Sequence, residues 1–207
     1  MNQLKKVIFS DKIQTKKAHV SYNTGNTEWY TPSEFTDAAR ITMGTIDLDP
    51  ASTAEANKTV QAKKFYTKEI DGLTQKWEGN IWLNPPYAQP LMSQFADAVT
   101  NKYVSREIAQ AIVLTNNATE TKWFQKLLTA TSAVCLIKGR IKFVSPEGKT
   151  GTPLQGQIIL YFGNNPDKFT EQFTKFGQVM WASEKNNLLH ILSQKNKSYK
   201  PNFKTKQ

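Results

Sequence analysis

Short apolar runs alternate with amphipathic stretches along most of this chain, and few folds accommodate that order. Residues 45–48, 80–83, 109–114, 133–137, 140–144 and 157–162 read as strands. Between them, residues 51–64 are Ala-rich and helix-like, and residues 120–128 carry an apolar stripe of Trp123, Phe124, Leu127 and Leu128. After Pro90, which suits a first helical turn, Leu91, Phe95, Val99 and Tyr103 recur every four residues on one helical face. Residues 167–176 form a further helix candidate and residues 188–192 a final strand candidate. Strands that alternate with helices predict an α/β domain with a mostly parallel sheet.

The domain is expected over residues 28–192, between a basic N-terminal arm, 1–27, and a Lys-rich C-terminal tail, 193–207. A chain of 207 residues is long enough for one well-buried core. With 39% apolar and 11% aromatic residues it is too hydrophobic for a disordered protein, and no apolar run approaches the ~20 residues of a membrane span. The first ten residues lack the pattern of a secretory signal, and the single Cys135 has no intramolecular disulfide partner. An intracellular, reducing compartment is therefore expected.

Lys and Arg outnumber Asp and Glu by 27 to 17, giving a net charge of +10. Most of the excess lies at the two ends: Lys5, Lys6, Lys12, Lys16 and Lys17 face only Asp11, and six lysines beyond Glu184 face no acid. Such ends suit a polyanion partner, since each neutralised phosphate releases a condensed counterion; they equally suit solvated ends that keep a protein soluble.

Asn84-Pro85-Pro86-Tyr87 is where the alternation meets chemistry. Adjacent prolines arise by chance at roughly one position in 400, so the pair means little alone. Here it ends an apolar strand, and open α/β sheets bind their ligands at the carboxyl ends of strands. A rigid turn is the structural alternative. An amine on an aromatic ring is a poor nucleophile because its lone pair is delocalised, and neutral Asn is no general base. The Asn84 side-chain oxygen and the Pro85 carbonyl can instead each accept one amino hydrogen and aim the lone pair. Proline's fixed φ stiffens the loop, and Tyr87 offers an aromatic face to a planar base.

These residues, with others in order around them, resemble the phage-type DNA N6-adenine methyltransferases, within the amino-methyltransferases that carry Asp/Asn-Pro-Pro-Tyr/Phe. The likeness runs from about Trp29 to Gly163. Glu28-Trp29-Tyr30-Thr31-Pro32 is similar to the early Thr-Pro motif that helps hold the methionine end of the cofactor, S-adenosylmethionine. Asp47-Leu48-Asp49-Pro50-Ala51-Ser52 resembles the first cofactor motif, and Asp71-Gly72-Leu73 the acidic turn on the cofactor's adenine. Thr121-Lys122-Trp123-Phe124 and Gly139-Arg140-Ile141-Lys142-Phe143 resemble later segments. The resemblance implies cofactor binding by Tyr30, Thr31, Pro32, Asp47, Asp49, Pro50 and Asp71, catalysis by Asn84, Pro85, Pro86 and Tyr87, and a Rossmann-like methyltransferase sheet with a last antiparallel strand near 157–162.

Taken singly the matches have plainer readings: Thr31-Pro32 also starts helices, Asp49 also caps them, and Asp71-Gly72 is a common turn pair. Phe143 matches the place where relatives keep an aromatic that stacks on the target base, although a buried strand phenylalanine is the ordinary alternative. A paired adenine must leave the stack to reach an enclosed cofactor, which calls for such a clamp. Arg140 and Lys142 then contact phosphates, or else form a solvated face. The chain departs from nucleotide-binding α/β folds in having no glycine in residues 50–54, and only about 18 residues separate Ser52 from Asp71. A trimmed cofactor half is expected. His19 and His190 have no neighbour at metal spacing and Cys135 lies in an apolar run, so neither a metal site nor covalent catalysis is indicated. Cytosine N4, a protein carboxamide nitrogen and a catalytically idle DNA-binding module remain the rival readings, and oligomeric state is not legible.

Overall fold

A computed structural model describes residues 29–145 and 148–183. Its elements follow in the order α1 (Ser33–Met43), β1 (Leu48–Asp49), α2 (Ala54–Val60), β2 (Lys64–Phe65), a 3-10 turn (Gly72–Thr74), β3 (Asn80–Leu83), α3 (Leu91–Val104), β4 (Gln110–Asn116), α4 (Lys122–Leu128), β5 (Ala133–Ile137), β6 (Phe143–Val144), β7 (Thr150–Gly151), β8 (Gln157–Phe162), α5 (Pro166–Phe173) and β9 (Gly177–Trp181).

One seven-stranded sheet runs in the order β2-β1-β3-β4-β8-β5-β9. Strands β2, β1, β3 and β4 are mutually parallel, β8 lies antiparallel between β4 and β5, and β9 is antiparallel to β5. Alternate residues of the central strands feed two cores. Ile81, Leu83, Ala111, Val113, Ile158 and Leu160 join Phe95, Val99, Phe124 and Leu127 of α3 and α4. Trp82, Ile112, Leu114, Ile159 and Tyr161 join Phe35, Ala38, Phe169 and Phe173 of α1 and α5 on the other face. Helices on both faces explain why these strands read as continuous apolar runs. The expected Rossmann-like α/β sheet is what the chain forms.

The direction of chain travel reverses between β1 and β3. From β1 the chain crosses through α2 to β2 on one side, and from β3 it crosses through α3 to β4 on the other. Such a reversal opens a crevice at the carboxyl ends of the two strands. The cofactor half is small: α2 has 7 residues and edge strand β2 has 2. They fit because Thr53 caps α2 by accepting from the Ala56 N–H (3.0 Å), and Gln61 ends it in the left-handed region at φ 54°.

Several elements differ from expectation. Helix α2 is shorter than residues 51–64 because Asp49-Pro50 and the Thr53 cap delay its start. The β1 ladder begins at Leu48, not Thr45. In α3, Leu91 is exposed and Met92 takes the inward place. The strand expected over 140–144 narrows to β6, which pairs with β7 in a separate ribbon. Strand β8 is antiparallel as expected, but β9 follows it. Residues 188–192, like the basic arm 1–27 and the tail 193–207, lie outside the described residues.

Candidate active site

Strand β3 is buried from Ile81 to Leu83 and delivers Asn84 to the crevice. Pro85 and Pro86 have no N–H with which to continue a ladder, so the chain leaves the sheet there. Two hydroxyls hold the Asn84 carboxamide. Its Nδ2 donates to Thr31 Oγ1 (3.2 Å), and its Oδ1 accepts from the Tyr87 hydroxyl (3.0 Å). Thr31 is buried and reaches Asn84 across 53 residues of sequence, so the early Thr-Pro segment and the proline loop form one site.

Tyr87 packs its ring partly against the core on the α3 face, and burial pushes its phenol well above the ordinary range. It therefore stays a neutral hydrogen-bond donor. One lone pair of Asn84 Oδ1 is left over, and among the described residues no hydrogen bond is made to the Pro85 carbonyl. Two acceptors thus remain for the two hydrogens of an amino group.

Asp49 closes β1 beside this loop. Leu48 is in register with Ile81, so Asp49 lies level with Trp82, two residues short of Asn84 along the neighbouring parallel strand. The Asp49 carboxyl is buried and accepts from the Ala51 N–H (3.1 Å). Burial pushes its pKa up to about 7, against the lowering effect of that N–H and of the nearby Ser52 hydroxyl. The Ser52 hydroxyl is buried and, beyond its lowering effect on Asp49, has no hydrogen-bond partner among the described residues. A buried carboxyl held close to its ionisation point, beside a buried hydroxyl, can meet a polar or cationic ligand that favours the ionised form.

The acidic turn is brought to the same place. Gly72 approaches Pro50 so closely that a Cβ there would lie 1.9 Å from the Pro50 carbonyl oxygen. Asp71 caps the 3-10 turn, its carboxylate accepting from the Leu73 N–H (3.1 Å), and the Trp77 indole N–H holds the Gly72 carbonyl (2.7 Å). Tyr30 exchanges backbone hydrogen bonds with Val144, and Pro32 precedes α1 at the crevice side of the sheet.

Two residues lie elsewhere than a binding role requires. Asp47 stands at the start of the β1 segment, where it accepts from the Asn80 N–H (2.9 Å) and Thr45 Oγ1 (3.0 Å) and pairs with Lys63 (2.7 Å). Those bonds tie β1 to β3 at the end of the sheet opposite the crevice, so its role is to hold strands together. Phe143 is only 5% exposed and belongs to the core that packs on α1 and α5. The buried strand phenylalanine is therefore the description that fits, and no open ring face is offered to a base. Arg140 and Lys142 do point outward, alternating with buried Ile141 and Phe143. The sequence reading missed the Thr31 bond and the orphaned Ser52; Ser52 stands in the quoted motif, but its burial has no sequence signal.

Comparison with curated proteins returns no match. The family model described as DNA N-6-adenine-methyltransferase (Dam) matches residues 18–179. That span holds the Thr31, Asp49, Asp71 and Asn84 segments together, and the chain accordingly belongs to the DNA N-6-adenine-methyltransferase (Dam) family.

Proposed function

We propose that this chain transfers the methyl group of S-adenosylmethionine to N6 of an adenine swung out of double-stranded DNA, in the cytoplasm of a bacterial or phage-infected cell. The observation that carries the reading is the Asn84 carboxamide, pinned by Thr31 and Tyr87 at the sheet's reversal point, with buried Asp49 ending the adjacent strand. Family membership supports adenine N6 over cytosine N4 or a protein amide.

Bound S-adenosylmethionine supplies an already activated methyl group, so the protein's task is positioning and electrostatics. Asp49, Ser52, Pro50 and the turn at Asp71 would hold it. Asn84 Oδ1 accepts one N6 hydrogen through its remaining lone pair, and the Pro85 carbonyl accepts the other. Together they draw the amino nitrogen out of conjugation and turn its lone pair toward the crevice; once that nitrogen carries the methyl group, its surplus proton is released to water. As positive charge develops on that nitrogen, both acceptors bind its hydrogens more tightly, so the stabilisation grows toward the transition state. Thr31 and Tyr87 keep the carboxamide from rotating, which preserves the acceptor's direction without any reorganisation during reaction.

The test is to incubate the protein with methyl-labelled cofactor and unmethylated duplex, digest to nucleosides and separate them. Label is expected in N6-methyladenine, and label in N4-methylcytosine or in protein rejects the proposal. Asn84→Ala is expected to lower turnover at least about a hundredfold, on the scale of removing one preorganised transition-state contact, while cofactor binding persists. A fully active variant removes Asn84 from the mechanism.

A further inference from the structure

Beside the site lies an open cleft of about 740 Å³ whose cations are Lys138, Arg140, Lys142 and Lys175, against a single acid, Glu34. Among the described residues none of the four cations forms an ion pair. They come from separate stretches of chain: Lys138 from the end of β5, Arg140 and Lys142 from the segment before β6, and Lys175 from the turn between α5 and β9. The floor is apolar, with the Phe35 and Phe176 rings stacked at 4.3 Å. Pro32 and Ser33 line the same cleft directly after Thr31, whose hydroxyl holds Asn84, so cleft and crevice share a wall.

A cluster of exposed cations is ordinarily balanced by acids or by solvent. Four unbalanced ones spread over several segments exceed what one small anion can meet, and suit a chain of phosphates whose charges are spaced along a groove. We infer that this cleft is the track for the sugar-phosphate backbone of duplex DNA flanking the target base, with Lys138 and Lys175 contributing phosphate contacts beside Arg140 and Lys142. The inference rests on the DNA-methylating reading above and deepens it. A backbone laid here passes the wall that carries Thr31, which brings the flanking nucleotide to the mouth of the crevice. Phosphate contacts of this kind fix position on the duplex without reading sequence.

The test uses the full chain and a fluorescent unmethylated duplex, with anisotropy followed across a salt series. Each lost phosphate contact should flatten the slope of log K against log salt by about 0.9, so Lys138→Gln with Lys175→Gln should flatten it by about 1.8 and raise Kd at least about tenfold. A matched pair, Lys58→Gln with Lys68→Gln, removes the same charge from the exposed cofactor half of the fold and should leave the slope unchanged. Thermal melting of both pairs should stay near that of the parent, since all four side chains are exposed. If the parent chain methylates adenine but the cleft pair keeps its slope, or the control pair flattens it equally, the cleft proposal fails alone. A parent chain that neither binds nor methylates duplex DNA removes the underlying function instead.

Discussion

Asp49 and Asp47 stand two residues apart in one motif and do opposite things to the fold. The Asp49 carboxyl, with burial pushing it up to about 7, stays protonated in the folded chain at pH values where the unfolded chain has already ionised it. The folded state binds the extra proton between about pH 4 and about pH 7, so the contribution of Asp49 to stability falls through that window and is level above it. Asp49→Asn should stabilise the ligand-free protein at pH 8 by at most about 4 kcal/mol, read as a higher melting temperature, and change it little at pH 4. The same substitution should weaken binding of S-adenosylmethionine at least about tenfold, because it removes the anion that a cationic ligand meets. In the parent protein, cofactor affinity measured by calorimetry should climb between pH 5 and pH 7 as the carboxyl ionises. A flat profile together with unchanged affinity in the variant takes Asp49 out of the site. At Asp47, burial alone would raise the pKa, but hydrogen bonds from Lys63, Asn80 and Thr45 outweigh it and the net shift is downward. Its stabilising effect is therefore present at neutral pH and lost on acidification. Asp47→Ala should cost about 2 kcal/mol in denaturant unfolding at pH 7, the scale of a hydrogen bond to a charged group, and leave cofactor affinity intact.

The turn at Gly72 meets the loop after β1 with no room between them, which makes element contact rather than side-chain chemistry the thing to perturb. A Cβ at position 72 would overlap the Pro50 carbonyl, so Gly72→Ala should push the acidic turn away, weaken cofactor binding about tenfold or more, and leave the salt slope of DNA binding unaltered. Intact cofactor affinity in a folded variant would separate the turn from the site. Elements of this kind were unevenly legible in the sequence. The strand-loop-helix from β3 through α3 could be read because burial on both sides, two prolines and a four-residue repeat are local signals. Helix α1 was missed although Phe35, Ala38, Ala39, Thr42 and Met43 share a face, since its threonines and its place directly after the Thr-Pro motif hid the period. Strand β9 was missed because Met180 and Trp181 are exposed at a sheet edge, where alternation carries no burial. The order of strands, and with it the meeting of Thr31 and Asn84, is set by pairings far apart in sequence that no local pattern encodes. Burial likewise decided Phe143, whose aromatic type suits a core and a base clamp equally.

Across the whole molecule the charge has two locations, the cleft on the β5 side of the sheet and the ends of the chain that lie outside the described residues. Residues 1–17 and 193–207 together carry ten lysines against Asp11. Counterion release makes the two locations separable, because each contacted phosphate adds its own increment to the salt slope whichever part of the protein makes the contact. Removing residues 1–17 and 193–207 spares the whole matched family span and should flatten the slope by several, more than the loss of Lys138 and Lys175 does. If ends and cleft hold different phosphates, combining the truncation with the cleft pair should flatten the slope by the sum of the separate effects. A combined slope no flatter than that of the truncated chain places the cleft lysines off the DNA once the ends are gone. A truncated chain with the parent's slope shows that the terminal lysines only solvate the protein, which leaves the cleft as the seat of phosphate binding in this fold.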